Sequence, residues 1–268
     1  MENNSAPSED LSFGGIVVIR EDGSSDVRSH ITPSGLLFAT LSLETPSFSE
    51  FFAGLETLTN TVDFTKLPHR RSISYEGRFN WKTMIDGFQE CLHCQYTHPT
   101  FSKFYPPTFY SVTNHINFSQ HVADPKNPSD GLFLYFFPIC TLNVYAGGMS
   151  SFRTLPSTDP GVSRMEFDYY HSGTDKEFEE SVYPLYFFRL FSTHTMVPLP
   201  THNRYYKFVR QVAIEDFELC EIAQSNLERG VYGEGILNPE KENGVAFYQQ
   251  RVRKAVRSEF ENEQLQGA

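Results

Sequence analysis

Strand-like runs of apolar and polar residues occupy the first two thirds of the chain, and a helical spacing takes over in the last third. GIVVIRED (15–22) and GLLFATLSL (35–43) read as strands bounded by Gly, Ser and Pro turns. EFFAGLETL (50–58) suits a short helix, and SISYEGRFNWK (72–82) alternates as a further strand. SVTNHINFSQHVA, LFLYFFPICTLNVYA, SSFRTLP and SRMEFDYYHS are β-branched and aromatic with short Gly, Pro and Asp breaks, which predicts an antiparallel meander. PLYFFRLF (184–191) fits a strand or a buried helix equally. From Arg204 to about Gly230, Tyr205, Val209, Val212, Asp216, Cys220, Ala223 and Leu227 fall at steps of three and four and share one helix face. Glu215, Glu218, Glu221 and Glu228 lie off that stripe. Residues 1–12 read as a frayed tail, and the whole as one α+β domain: a curved antiparallel sheet with a long helix across it.

Composition narrows the partners. With 268 residues the chain can bury a substantial core, and aromatic residues at 15%, including 25 Phe and 14 Tyr, favour a sheet around an apolar cavity over a helical bundle. A net charge of −11 argues against nucleic acid or an anionic membrane, since both reward clustered Lys and Arg. The acidic start, MENNSAPSEDLSF, is neither a signal peptide nor a basic transit peptide, and no apolar run has the length of a membrane span. Four cysteines make no disulfide framework in a chain this long, so the expected compartment is the cytoplasm.

The chemistry concentrates in FNWKTMIDGFQECLHCQYTHPTF (79–101), which opens with an amphipathic helical pattern, and in Asp216. A carboxylate on an apolar stripe needs a cation or hydrogen bonds; it either marks the stripe's edge, pairs with an Arg, or points at a metal. His93 and His98 are five residues apart, about 140° on a continuous helix, so they converge only if the helix breaks between them. Pro99 disfavours helical geometry at His98, which places His93 on the helix and His98 just past its end. Two imidazoles and one carboxylate make the facial triad of mononuclear non-haem Fe(II), although H-x4-H alone equally describes core or surface histidines. Cys91 and Cys94 form a C-x-x-C, but Cys140 and Cys220 stand apart and supply no second pair for zinc. They read as small buried thiols behind the ligand helix. Tyr96, Phe101, Phe104, Tyr105 and Phe109 are near the histidines in sequence and fit either a pocket lining or core packing.

NWKTMIDGFQECLHCQYTHPTF resembles the N-W-K-x-x-x-E-N-F-x-E-C-Y-H-C-x-x-x-H-P stretch of Rieske non-haem iron oxygenase α-subunits, nearest the choline/carnitine monooxygenase-like branch. GLLFATLSLETPSFSEFFAGL, FPICTLNVYAGGMSSFRTLP, EDFELCEIAQSNLERGVY and NPEKENGVAFYQQRV extend the resemblance over roughly residues 35–252. The resemblance implies a helix-grip catalytic domain (START/Bet v1-like), usually a trimer, over residues 35–268, with 1–34 as an N-terminal tail or remnant. It implies that His93, His98 and Asp216 bind iron, and that Glu90 links the iron site to a neighbouring subunit's Rieske cluster. Departures accompany it. The [2Fe–2S] cluster needs two cysteines and two histidines upstream, but no cysteine precedes Cys91, so this chain is expected to hold no cluster and no Rieske domain. Gly87 stands where the family has Asn, and Leu92 where it usually has Tyr.

The resulting expectation is an Fe(II) oxygenase acting on a small organic substrate, taking electrons from a separate Rieske protein or reductase, or from the substrate itself. A homo- or hetero-oligomer is implied. The alternatives are a redox-neutral isomerase or cyclase in the same pocket, and a non-catalytic partner subunit of a full-length oxygenase.

Overall fold

The computed structural model describes residues 28–40, 42, 44–123, 131–145, 147–180 and 205–266. The tail at 1–12, the strand expected at 15–22 and the undecided run at 184–191 lie outside the described residues. The described chain opens with a hairpin of β1 (Arg28–Ile31) and β2 (Leu37–Thr40), paired antiparallel from Arg28↔Thr40 to Ile31↔Leu37. The division expected at residue 34 falls in the turn of this hairpin. Residues 50–58, expected to form one helix, contribute to two: α1 (Phe48–Phe51) and α2 (Leu55–Thr59). Gly54 separates them at φ 86°, a left-handed conformation that cannot continue a right-handed helix. His30 stacks on Phe48 with ring centroids 4.0 Å apart and meets Glu56 at 2.8 Å, fastening the hairpin to both helices.

β3 (His69–Gly77) leads into α3 (Trp81–Phe88), α4 (Cys94–Thr97) and α5 (Phe101–Phe104). The meander comes next as β4 (Ser111–Asn114), β5 (Phe118–Val122), β6 (Leu132–Phe136), β7 (Cys140–Tyr145), β8 (Gly148–Pro156) and β9 (Ser163–His171). These strands join β3 in one antiparallel sheet of order β3-β9-β8-β7-β6-β5-β4. α6 (Asp175–Glu180), α7 (Tyr205–Glu228) and α8 (Asn243–Gln266) complete the described elements. The helix expected from Arg204 to about Gly230 is α7, and α8 follows it as a second helix; each has 24 residues.

Successive side chains of a strand point to opposite faces, and here the alternation builds two cores. Leu132, Leu134, Leu142, Val144, Met149 and Tyr170 face the hairpin, α1 and α2. Their neighbours Phe133, Tyr135, Tyr145, Phe152, Phe167 and Tyr169 face the helices on the other side. α7 lies over this second face through Tyr205, Phe208, Val209, Ala213 and Cys220, all buried. The stripe expected on α7 holds for Tyr205, Val209 and Cys220, omits the buried Phe208 and Ala213, and frays at Leu227, which is exposed. Gly148 lets α7 approach the sheet, since a Cβ there would lie 2.4 Å from the Tyr205 ring. α8 buries Val245 and Tyr248, and the Tyr248 ring meets those of Trp81 and Tyr135. The architecture is α+β of the helix-grip type, and among the described residues no helix is long and apolar enough to cross a membrane.

Candidate metal centre

α3 begins where the sequence supplies a cap: the Asn80 side chain accepts from the Lys82 amide, and its amide nitrogen donates to the Pro160 carbonyl at 2.7 Å. Two side chains of α7 reach back to the same corner. Glu221 accepts from the Arg78 amide and Gln224 from the Asn80 amide, each at 3.0 Å. The spacing of Glu215, Asp216, Glu221 and Gln224 along α7 thereby acquires a physical meaning. Glu221 and Gln224 clamp the start of α3 onto α7, while Glu215 and Asp216, two turns earlier, meet the histidines beyond the end of α3.

The break in the helical segment falls elsewhere than expected. α3 ends at Phe88, with Gln89 as its C-cap, so His93 is not on that helix. His93 and His98 instead bracket the single turn α4, as its N-cap and C-cap. The five-residue separation works because His98 leaves the helix, at φ −118° and ψ 64°, which takes its side chain off the helical wheel. The two imidazoles then stand with centroids 5.1 Å apart and planes at 77°.

Each imidazole is gripped at both nitrogens. His93 Nδ1 donates to Glu90 and His98 Nδ1 to Glu215 at 2.8 Å, while both Nε2 atoms point at Asp216 Oδ1, at 3.4 and 2.9 Å. One ligand atom from each of His93, His98 and Asp216 lies within 4.8 Å of the other two. Bonds of about 2.1 Å to a divalent ion would set such atoms roughly 3 Å apart, so small side-chain movements suffice to close on one. The donor set fits a mononuclear divalent metal, with Nδ1–H tied to a carboxylate and Nε2 left as the ligand atom on both histidines. Glu215 lies off the α7 stripe, yet it holds His98. Adjacent helical residues diverge by about 100°, and His98 bridges that gap with one nitrogen on each.

Without a metal the same contacts govern protonation. Burial alone would lower the His93 pKa, but hydrogen bonds and charge from Asp216 and Glu90 outweigh it and raise it to about 10. His98 is raised as well, against its own burial and the charge of His93, by Asp216 and Glu215. Asp216 shows the reciprocal effect: burial would raise its pKa, and the two histidines hold it below the usual carboxylate range.

The centre opens on a cavity of about 90 Å³. Met84, Gly87 and Phe88 of α3 form one wall and Val209, Val212 and Ala213 of α7 another. Phe133, Asn143, Ser150, Phe152, Phe167 and Tyr169 come from the sheet face that carries the second core. Of the aromatic residues near the histidines in sequence, Phe101 lines the cavity, Tyr105 is buried in the core, Phe104 packs against that core, and Tyr96 and Phe109 are exposed. A buried polar chain stands behind the cavity, with Tyr110 Oη 2.7 Å from His121 Nδ1 and His121 Nε2 2.7 Å from Gln89 Oε1. Burial holds His121 neutral, its pKa lowered to about 3. Cys91 and Cys94 are buried as expected but are not thiols: they form a disulfide that closes the turn around His93 and borders the cavity.

Fold and site together define a helix-grip α+β domain with a two-histidine, one-carboxylate centre in an apolar cavity. Residues 64–126 and 119–258 match the ring hydroxylating alpha subunit (catalytic domain) family, and the chain belongs to that family. The carnitine monooxygenase oxygenase subunits of Acinetobacter baumannii and Acinetobacter pittii are each 27% identical over 180 residues, covering 65% of this chain and 46% of theirs. The chain thus spans about half the length of the curated relatives it matches. Among solved structures, the quaternary ammonium Rieske monooxygenase CntA with L-carnitine superimposes with a TM-score of 0.63 at 19% identity, over 85% of this chain and 60% of that one. Its apo form gives 0.58 at 18% identity, over 85% and 59%. At these identities the superpositions establish the fold.

Proposed function

We propose that residues 35–268 form an oxygenase catalytic domain in which His93, His98 and Asp216 hold a mononuclear Fe(II) beside a small organic substrate. The convergence of both Nε2 atoms and Asp216 Oδ1 at the wall of an apolar cavity carries this reading. Bound there, iron would supply the activation of O₂ for oxidation of the substrate. Glu90 and Glu215 are positioning residues: by accepting from Nδ1 they fix the ring orientations and leave Nε2 free of the competing tautomer. The apolar walls exclude water from the reacting group. Oxygen chemistry of this kind consumes two electrons, and no cysteine precedes Cys91 to help build a cluster, so the electrons come from outside these 268 residues. A separate Rieske protein or reductase, or the substrate, is the donor, and assembly into an oligomer brings donor and centre together. Relatives named for carnitine oxidation support the reaction class.

The test is iron content and O₂ uptake of the purified chain, measured with and without an added Rieske reductase system. Near-stoichiometric iron that is lost in Asp216→Ala together with O₂ uptake is the expected result. Turnover that proceeds without O₂ would establish a redox-neutral enzyme instead, and co-purification with a cluster-bearing homologue that His93→Ala leaves undisturbed would establish a partner subunit.

A further inference from the structure

Gly87 is the seventh of the eight residues of α3, in its last turn, where glycine still gives up helix propensity relative to alanine. Two of the usual reasons for a glycine do not apply there. Its backbone is not at positive φ, unlike that of Gly35, Gly54, Gly131, Gly147 and Gly230. Nor does a close neighbour demand it: a Cβ on Gly87 meets nothing within 4 Å among the described residues, whereas at Gly77 it would sit 2.2 Å from Phe79. What remains is the space itself. Gly87 lines the cavity with Met84, at i−3 on the same helix face, and Phe88 beside it, and Glu90 and Cys91, beyond the end of α3, border the same cavity.

We propose that Gly87 is a specificity-determining residue: its missing side chain keeps a notch open in the α3 wall, and the apolar body of the substrate seats there, over Met84 and Phe88 and next to the carboxylate that holds His93. This rests on the reading of the cavity as the active site. The helix gives up propensity at a position where alanine fits without strain, and the notch sets how large an apolar group reaches the metal. A branched side chain at 87 would occupy the volume the substrate needs.

Xenon is a suitable probe, because it enters apolar cavities without needing hydrogen bonds. In the full chain labelled at the methionine methyl groups, xenon is expected to shift the Met84 resonance in a saturable way. Gly87→Leu should weaken that response at least tenfold and Gly87→Ala by a smaller factor. Gly87→Ala should also melt about 1–4 °C higher than the parent, since it restores helix propensity without a clash. If Gly87→Leu does not fold, Gly87→Ala alone carries the comparison. A lower melting temperature for Gly87→Ala, or a folded Gly87→Leu that takes up xenon like the parent, overturns the proposal, as does a parent that shows no Met84 response. Metal content measured on the same samples separates the two readings: xenon uptake without metal sinks the iron centre, and metal without xenon uptake sinks the notch.

Discussion

Metal binding at His93, His98 and Asp216 should compete directly with protons, and the geometry sets the size of that competition. In the structure each Nε2 points at Asp216 while Nδ1 is held by Glu90 or Glu215, an arrangement that suits the doubly protonated ring. The ion must replace those Nε2 protons. With His93 titrating at about 10, removing its proton at pH 7 costs about 4 kcal/mol, or roughly a thousandfold in apparent affinity. Each unit of pH recovers about tenfold from His93, and His98 steepens the slope wherever it too is protonated. Anaerobic titration of Fe(II) against a chromophoric chelator at pH 6.5, 7.5 and 8.5, corrected for the chelator's own protonation, should show a rise of about tenfold or more per unit. Glu90→Gln removes one of the charges that raise His93, so the same span should show a shallower rise. An affinity flat to within threefold across these two pH units would refute the argument. The stability of the metal-free protein should run the other way: because the folded pKa of His93 lies above its unfolded value, its contribution is complete below about 6.5 and vanishes as pH passes about 10.

Three further outcomes are expected. Gly148→Ala places a methyl group 2.4 Å from the Tyr205 ring and should destabilise the protein by about 1–3 kcal/mol in chemical denaturation; an unchanged midpoint would show that α7 shifts freely on the sheet. His121→Leu strands the Tyr110 hydroxyl and the Gln89 carbonyl in a buried site and should cost about 1–3 kcal/mol per stranded group by the same measurement. Because its folded pKa is depressed, the parent should also lose stability as pH falls from about 6.5 towards 3, and the Leu variant should lose less over that window. Alkylation in denaturant without reductant should modify two cysteines, Cys140 and Cys220, and after reduction all four; four modified at the outset would show that the Cys91–Cys94 bond is absent.

Much of this is legible in the chain, for identifiable reasons. The meander shows because β-branched and aromatic runs are punctuated by turn residues, and Asp216 shows because a carboxylate interrupts an apolar stripe. The prolyl constraint at His98 correctly puts that residue past a helix end. The misread features depend on distance in space. The start of α3 is clamped by Glu221 and Gln224, more than 140 residues downstream. Glu215 looks like a solvated charge until His98 is laid across it. Cys91 and Cys94 are a thiol pair or a disulfide depending on a turn conformation that composition does not reveal. The cavity wall is invisible for the same reason, since Asn143, Ser150 and Phe167 become neighbours only through strand register.

That two imidazoles and one carboxylate converge on one point has a consequence for which metal would fill such a site. That donor set alone offers little basis for rejecting a competing divalent ion. Two imidazoles and a carboxylate hold zinc or copper more tightly than ferrous iron. Iron loading would then be decided by supply at the moment of filling, and protein made in a zinc-rich medium should emerge well folded, fully charged with metal, and inert towards oxygen.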